Sequence, residues 1–129
     1  MLQPTSVTTT PFGRHVAILS LSGPCSGAGV CEQLVAAAGD AIESDRTGLV
    51  VDLRDATGLG ADVLEVIREI DRTAHRCDWR LVVVKPCSGP LRTLFFSEAL
   101  DLGLTLASTR AVALLWAMRA RPASVQAAS

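Results

Sequence analysis

Apolar positions recur with two different spacings along this chain, and the spacing changes at glycine- and proline-containing breaks. From His15 to Leu21 the residues are β-prone, with Val16 and Ile18 inward and Leu21 a further candidate, until Ser22-Gly23-Pro24 ends the run. Val30, Leu34, Ala38 and Ile42 then fall four apart, which predicts a helix over Val30–Ile42. Gly48 opens the unbroken run Leu49-Val50-Val51-Asp52-Leu53, typical of a strand covered on both faces. A second helical stripe places Val63, Val66, Ile67, Ile70 and Ala74 inward and Glu65, Arg68, Glu69 and Arg72 outward, with Cys77 closing it as a core or capping residue. Arg80–Val84 reads as another buried strand, stopped by Lys85-Pro86. Leu91, Leu94 and Phe95 mark a short helix, and Leu102–Leu106 a brief last strand. Ser108 or Thr109 caps a final helix through Ala111, Val112, Leu115 and Met118.

This β-α-β-α-β-α-(β)-α order predicts an α/β fold. Its sheet is mixed and mostly parallel, with four to five strands, right-handed crossovers and about four helices. Residues 12–121 form one domain, with no internal repeat. Residues 1–11 are a flexible leader or edge strand, and residues 122–129 a small, polar, disordered tail.

The segment Arg54–Ala61 reads as a loop, because a helix starting at Gly58 or Gly60 would be poor. Asp62-Val63-Leu64-Glu65 has the form of a capping box, an N-cap acceptor with a carboxylate at N3.

A length of 129 residues suits a single core, and 49% hydrophobic against 19% charged residues excludes intrinsic disorder. Twelve basic and thirteen acidic side chains give a formal charge of −1 with no like-charge block. Phosphate neutralisation requires a basic excess, so nucleic acid is not an expected partner. Tyrosine is absent and aromatics are 4%, which leaves an aliphatic core and little to stack bases on. No apolar run reaches the length of about 18 residues that a spanning helix needs, so membrane insertion is not expected. Met1–Thr10 lacks the basic and apolar regions of a secretory signal. Cys25, Cys31, Cys77 and Cys87 match neither Cys-x-x-Cys nor zinc-ribbon spacing. The expectation is a reduced, cytoplasmic protein.

Val50-Val51-Asp52-Leu53-Arg54-Asp55-Ala56-Thr57 resembles the STAS domain, the fold of bacterial anti-sigma factor antagonists. That family runs an apolar strand ending Asp-Leu into a loop and then Asp-Ser-Ser-Gly at a helix start. Leu19-Ser20-Leu21-Ser22-Gly23 is similar to the family's Leu-x-Leu-x-Gly strand end, and Arg80–Val84 to its next strand. Leu91–Phe95 and Ala99-Leu100-Asp101 resemble the following helix and its Gly-Leu-Asp turn, with Ala99 at the glycine position. The resemblance spans His15 to Met118. The dominance of arginine, with Lys85 the sole lysine, and the abundance of alanine are associated with GC-rich bacterial genomes.

Counted from Asp52-Leu53, the family's Asp-Ser-Ser-Gly falls on Gly60-Ala61-Asp62-Val63. The serine that a partner kinase phosphorylates in the family is therefore Ala61, which has no hydroxyl. The family's acidic residue after the first strand falls on Ser26. Asp62, at the second serine, reads either as a helix N-cap or as a fixed negative charge mimicking a modified antagonist.

Other motifs carry little chemistry. Gly58-Leu59-Gly60-Ala61-Asp62 suggests a phosphate loop only superficially, since Asp62 would repel an anion at that helix start. Cys25 and Cys31 could form a transient redox pair, or simply fill space in a loop. His15 and His75 are isolated from other metal-type ligands in sequence, and Asp52 and Asp55 read as turn and solubility residues.

The resemblance thus implies a non-enzymatic protein–protein interaction module, an antagonist-like regulator without the phosphorylatable serine. Its contact face would comprise Ser26, Gly58, Leu59, Gly60, Ala61, Asp62 and Glu65. The implied partner is an anti-sigma factor of kinase-like fold, or a related regulatory protein, with no cofactor and no metal. A homodimer is compatible with this reading. The alternatives are a nucleotide- or lipid-binding protein or small enzyme on the same scaffold, and a structural subunit of a larger assembly.

Overall fold

A computed structural model describes residues 6–13, 15–44, 47–87 and 103–118. The expected helix at Leu91–Phe95, the Ala99–Asp101 turn and the 122–129 tail lie outside the described residues. The elements are β1 (Ser6–Phe12), β2 (Val16–Cys25), α1 (Ala28–Glu43), β3 (Gly48–Leu59), α2 (Ala61–Arg76), β4 (Arg80–Val84) and β5 (Leu106–Ala107), followed by α3, residues 110–118. The sheet order is β1-β2-β3-β4-β5. β1 pairs antiparallel with β2, and every later neighbour is parallel. The α/β class and mixed sheet agree with the order of elements, and three helices fall among the described residues.

Residues alternate between two apolar layers because successive strand side chains face opposite ways. Leu19, Leu21, Leu49, Val51 and Leu53 face α1 and α2, where Leu34 and Ile67 are completely buried. Burying each such side chain stabilises the fold by about 1.5–3 kcal/mol. The helix stripes sit slightly rotated from expectation. α1 buries Ala41 and leaves Ile42 partly buried, and α2 buries Leu64 and leaves Val66 partly buried.

Val16, Ile18, Val50, Val82 and Val84 face the other way, onto Ala113 and Ala117 of α3. The final helix therefore does not bury the large residues of the expected stripe. Leu115 is 55% exposed and Met118 50%, whereas Ala113 and Ala117 are fully buried. Close approach explains the rotation: a Cβ on Gly48 would lie 2.8 Å from the Ala117 carbonyl oxygen. Only small residues allow the helix backbone this near to β3.

The strands also outrun their expected ends. β2 continues through Ser22-Gly23-Pro24 to Cys25, and β3 continues through the supposed Arg54–Ala61 loop as far as Leu59. Register shifts between Ser20 and Ser22 and between Gly23 and Pro24 keep the two strands paired while the chain bends. The last strand is two residues, Leu106–Ala107. Cys77 is exposed and caps α2 through its backbone N–H, not as a core residue.

Candidate functional site

The site is made where β2 and β3 finish side by side. Pro24 pairs with Gly58 and Cys25 with Leu59, and the Gly60 N–H donates to the Cys25 carbonyl at 2.8 Å. Strand pairing thus reaches residue 59, leaving one residue before α2 starts at Ala61. Gly60 is the N-cap, with φ −82° and ψ 155° and no side-chain cap bond. A Cβ on Gly60 would come within 2.8 Å of the Ser26 Cβ and would also strike the Asp62 carboxylate, so glycine is required by proximity.

Asp62 is consequently the second residue of the helix, and the expected capping box is absent. Its Oδ2 accepts the Gly27 N–H at 2.8 Å and its Oδ1 accepts the Val63 N–H at 2.9 Å. Gly27, at φ 97°, is the N-cap of α1. One carboxylate therefore fastens the β2–α1 turn to the first turn of α2. A negative charge in that turn also suits the helix dipole.

Among the sequence-predicted contact residues, Ser26 and Gly58–Asp62 come together on one continuous surface. Ala61 is exposed on it, as the first residue of α2. Glu65 lies one turn along α2, paired with Arg68 at 3.8 Å and lining the groove between α1 and α2. Thr57 is exposed on β3, upstream of Gly58.

The two nearby cysteines are free thiols and differ in burial. The Cys25 thiol is completely buried and donates to the Gly23 carbonyl at 3.3 Å. Cys31, in the first turn of α1, is partly buried. Burial pushes the Cys25 thiol above its ordinary pKa, and burial with the Asp62 charge does the same for Cys31. Exchange proceeds through thiolate, so both shifts oppose it.

Among the described residues, no cluster of three or more metal-type side chains is present. His75 faces Asp71 at 3.7 Å, while the His15 carbonyl accepts the Thr47 and Gly48 N–H groups. No helix among them is long and apolar enough to cross a membrane.

Asp52 was not legible as a structural residue. It is 5% exposed, accepts the Arg54 N–H at 3.0 Å and lies 3.7 Å from the Arg54 guanidinium and 3.8 Å from that of Arg110. It therefore ties the start of α3 to the sheet and is not a solubility residue, whereas Asp55 is exposed. Its position opposite an element more than 50 residues later carries no local sequence signal.

No protein-family model and no curated protein matches the sequence at a significant level. Solved structures do match. An anti-sigma factor antagonist from Mycobacterium paratuberculosis is 20% identical, with 89% of this chain and 95% of that chain covered and a TM-score of 0.70. The unphosphorylated form of the anti-sigma factor antagonist SpoIIAA is 15% identical over 88% of this chain and 98% of that chain, at TM-score 0.68. The phosphorylated form of SpoIIAA, a Bacillus cell fate determinant, is 17% identical over 84% of this chain and 96% of that one, at TM-score 0.65. Identities this low speak to architecture, and the likeness spans nearly the whole of each chain. The fold of this chain is the STAS fold of the anti-sigma factor antagonists.

Proposed function

We propose that the chain is a non-enzymatic interaction module of the anti-sigma factor antagonist type, whose contact surface is the Ser26 and Gly58–Glu65 region. The observation that carries this reading is the placement of Ala61. It is exposed at the start of α2, where the family pattern puts its phosphorylated serine, within a surface otherwise assembled from both strand ends. A phosphoryl group adds about −2 of charge and three acceptor oxygens, and that change is what switches binding in the family. A methyl group cannot receive it. The module therefore binds its partner without a phosphate switch at this position.

Asp62 does not stand in for a phosphate. Its two oxygens are spent on Gly27 and Val63, so the carboxylate braces the surface. The proposed partner is an anti-sigma factor of kinase-like fold, and the setting is cytoplasmic. The test is calorimetric titration of the chain with the anti-sigma factors of its own host. A complex weakened by Ala61→Arg, with folding intact, supports the reading. Absence of binding to every one of them contradicts it.

A further inference from the structure

The two faces of the sheet carry different charge. Over one face, α1 and α2 hold seven acidic side chains, three on α1 and four on α2, against Arg68, Arg72 and Arg76. α3 lies over the other face, on Val16, Ile18 and Val50. From Ala111 to Met118 it has no charged residue, and beyond Asp101 the chain has no acidic residue at all. That same stretch contains three arginines, Arg110, Arg119 and Arg121. Arg110 is engaged by Asp52 at 3.8 Å. Arg119 and Arg121 follow Met118 so closely that chain connectivity keeps both Cα atoms within about 11 Å of its own.

α3 also carries a concentration of apolar surface. Of the five large apolar side chains exposed among the described residues, Leu115, Trp116 and Met118 fall within four consecutive positions. Ala113 and Ala117 face the sheet, so Leu115, two residues from each, is turned to the opposite side. Trp116 is 37% exposed and Met118 half exposed. Burying the alanines and leaving the large side chains in water is the reverse of what packing in a core selects.

We propose that the outer side of α3 adsorbs to an anionic membrane surface, with Leu115, Trp116 and Met118 entering the interfacial layer and Arg119 and Arg121 meeting lipid phosphates. This is adsorption of one short helix, not a span. Tryptophan suits that depth, because its ring is apolar and its N–H is polar. Charge selects the occupant. An anionic surface attracts the α3 side and repels the acidic α1–α2 side, which sets the orientation of the whole domain. A second copy is disfavoured: packing α3 on its twin about a two-fold axis gathers the arginine-bearing ends with no carboxylate between Ala111 and Ser129 to pair them. A nucleic-acid backbone would match the arginines and leave Leu115 and Met118 in water. The proposal does not rest on the antagonist reading, because Ala61 belongs to α2 on the other layer.

The experiment is co-sedimentation of the full chain with vesicles of phosphatidylglycerol and phosphatidylethanolamine, and with vesicles of phosphatidylcholine, alongside tryptophan emission. Trp79 is 7% exposed, so an emission change reports Trp116. The variants are Leu115→Glu and the double change Arg119→Gln/Arg121→Gln. Leu115 faces solvent, so the melting temperature of Leu115→Glu should stay near that of wild type. The expected result is binding to the anionic vesicles with a blue shift, weakened at least about tenfold in Leu115→Glu. The arginine variant and added salt should weaken it as well. Equal binding to both vesicle types, no binding to the anionic ones, or undiminished binding by a folded Leu115→Glu or by the arginine variant would overturn the proposal. So would an unmoved emission spectrum in the bound state, a preference for an acidic Leu–Glu amphipathic peptide over vesicles, or a wild-type dimer abolished by Leu115→Glu.

Discussion

The Asp62 carboxylate holds the Gly27 N–H at 2.8 Å across 35 residues of sequence, joining the N-termini of α1 and α2. A structural role of this kind predicts a loss in both stability and local order. Asp62→Ala should cost about 1 kcal/mol in urea unfolding, the net worth of a typical hydrogen bond in a setting where water can compete. Amide exchange at Gly27 should accelerate. Unchanged exchange at Gly27 would show that the contact is not maintained in solution.

Asp52 joins residues still farther apart, and its two guanidinium partners are partly exposed. Asp52→Ala leaves the Arg54 N–H without its acceptor and α3 without its tie, so a loss of about 1–3 kcal/mol is expected. Asp52→Asn keeps an amide oxygen for Arg54 and should lose less. Denaturant midpoints of the two variants give the comparison; a larger loss in Asp52→Asn would be inconsistent with this geometry.

How much of this could be read from the sequence depends on how local the cause is. Val16, Ile18 and the Leu49–Leu53 run declare strands through their own neighbours, and the heptad-like spacing of α2 declares a helix. By contrast, β3 reaches Leu59 because β2 runs alongside it to Cys25, and Arg54–Gly58 contain no hint of that partner. The start of α2 moved with it, turning Asp62 from an expected cap into a brace. In α3, large apolar residues promised the buried face, yet the nearness of Gly48 gave that face to Ala113 and Ala117. The positions of the proposed contact surface come from the family resemblance, and the paired ends of β2 and β3 bring them together. Its bracing by Asp62, from 35 residues away, was not legible.

Asp71 supplies a pH dependence. Burial raises its carboxyl pKa above the ordinary aspartate value, with His75 opposing the shift. The folded state therefore holds this proton more tightly than the unfolded chain. Asp71 favours folding below the ordinary aspartate pKa, and that contribution falls as pH climbs through the raised folded value. Asp71→Asn should be more stable than wild type at neutral pH, with a flatter stability profile across the acidic range. Chemical denaturation at a series of pH values tests the sign; a variant that loses stability at neutral pH would contradict it.

The cysteines should react with a thiol reagent in an order set by burial. Cys77 and Cys87 are exposed and should be modified first. Cys31, partly buried and with its pKa raised by burial and by the Asp62 charge, should follow more slowly. Cys25 should wait for unfolding. Mass-resolved labelling with a disulfide reagent gives the order. Rapid formation of a Cys25–Cys31 disulfide in the native protein would overturn it.

The central claim is binding without a phosphate switch, and the most direct test combines one partner with one substitution. Wild type and Ala61→Ser are incubated with the cognate anti-sigma kinase and ATP, then followed by intact mass and by binding. The account predicts that wild type stays unmodified and bound, because Gly58–Glu65 contains no hydroxyl, while Ala61→Ser gains one phosphate and dissociates. Stoichiometric phosphate on wild type at Thr57 or Ser26, with release of the partner, would contradict it.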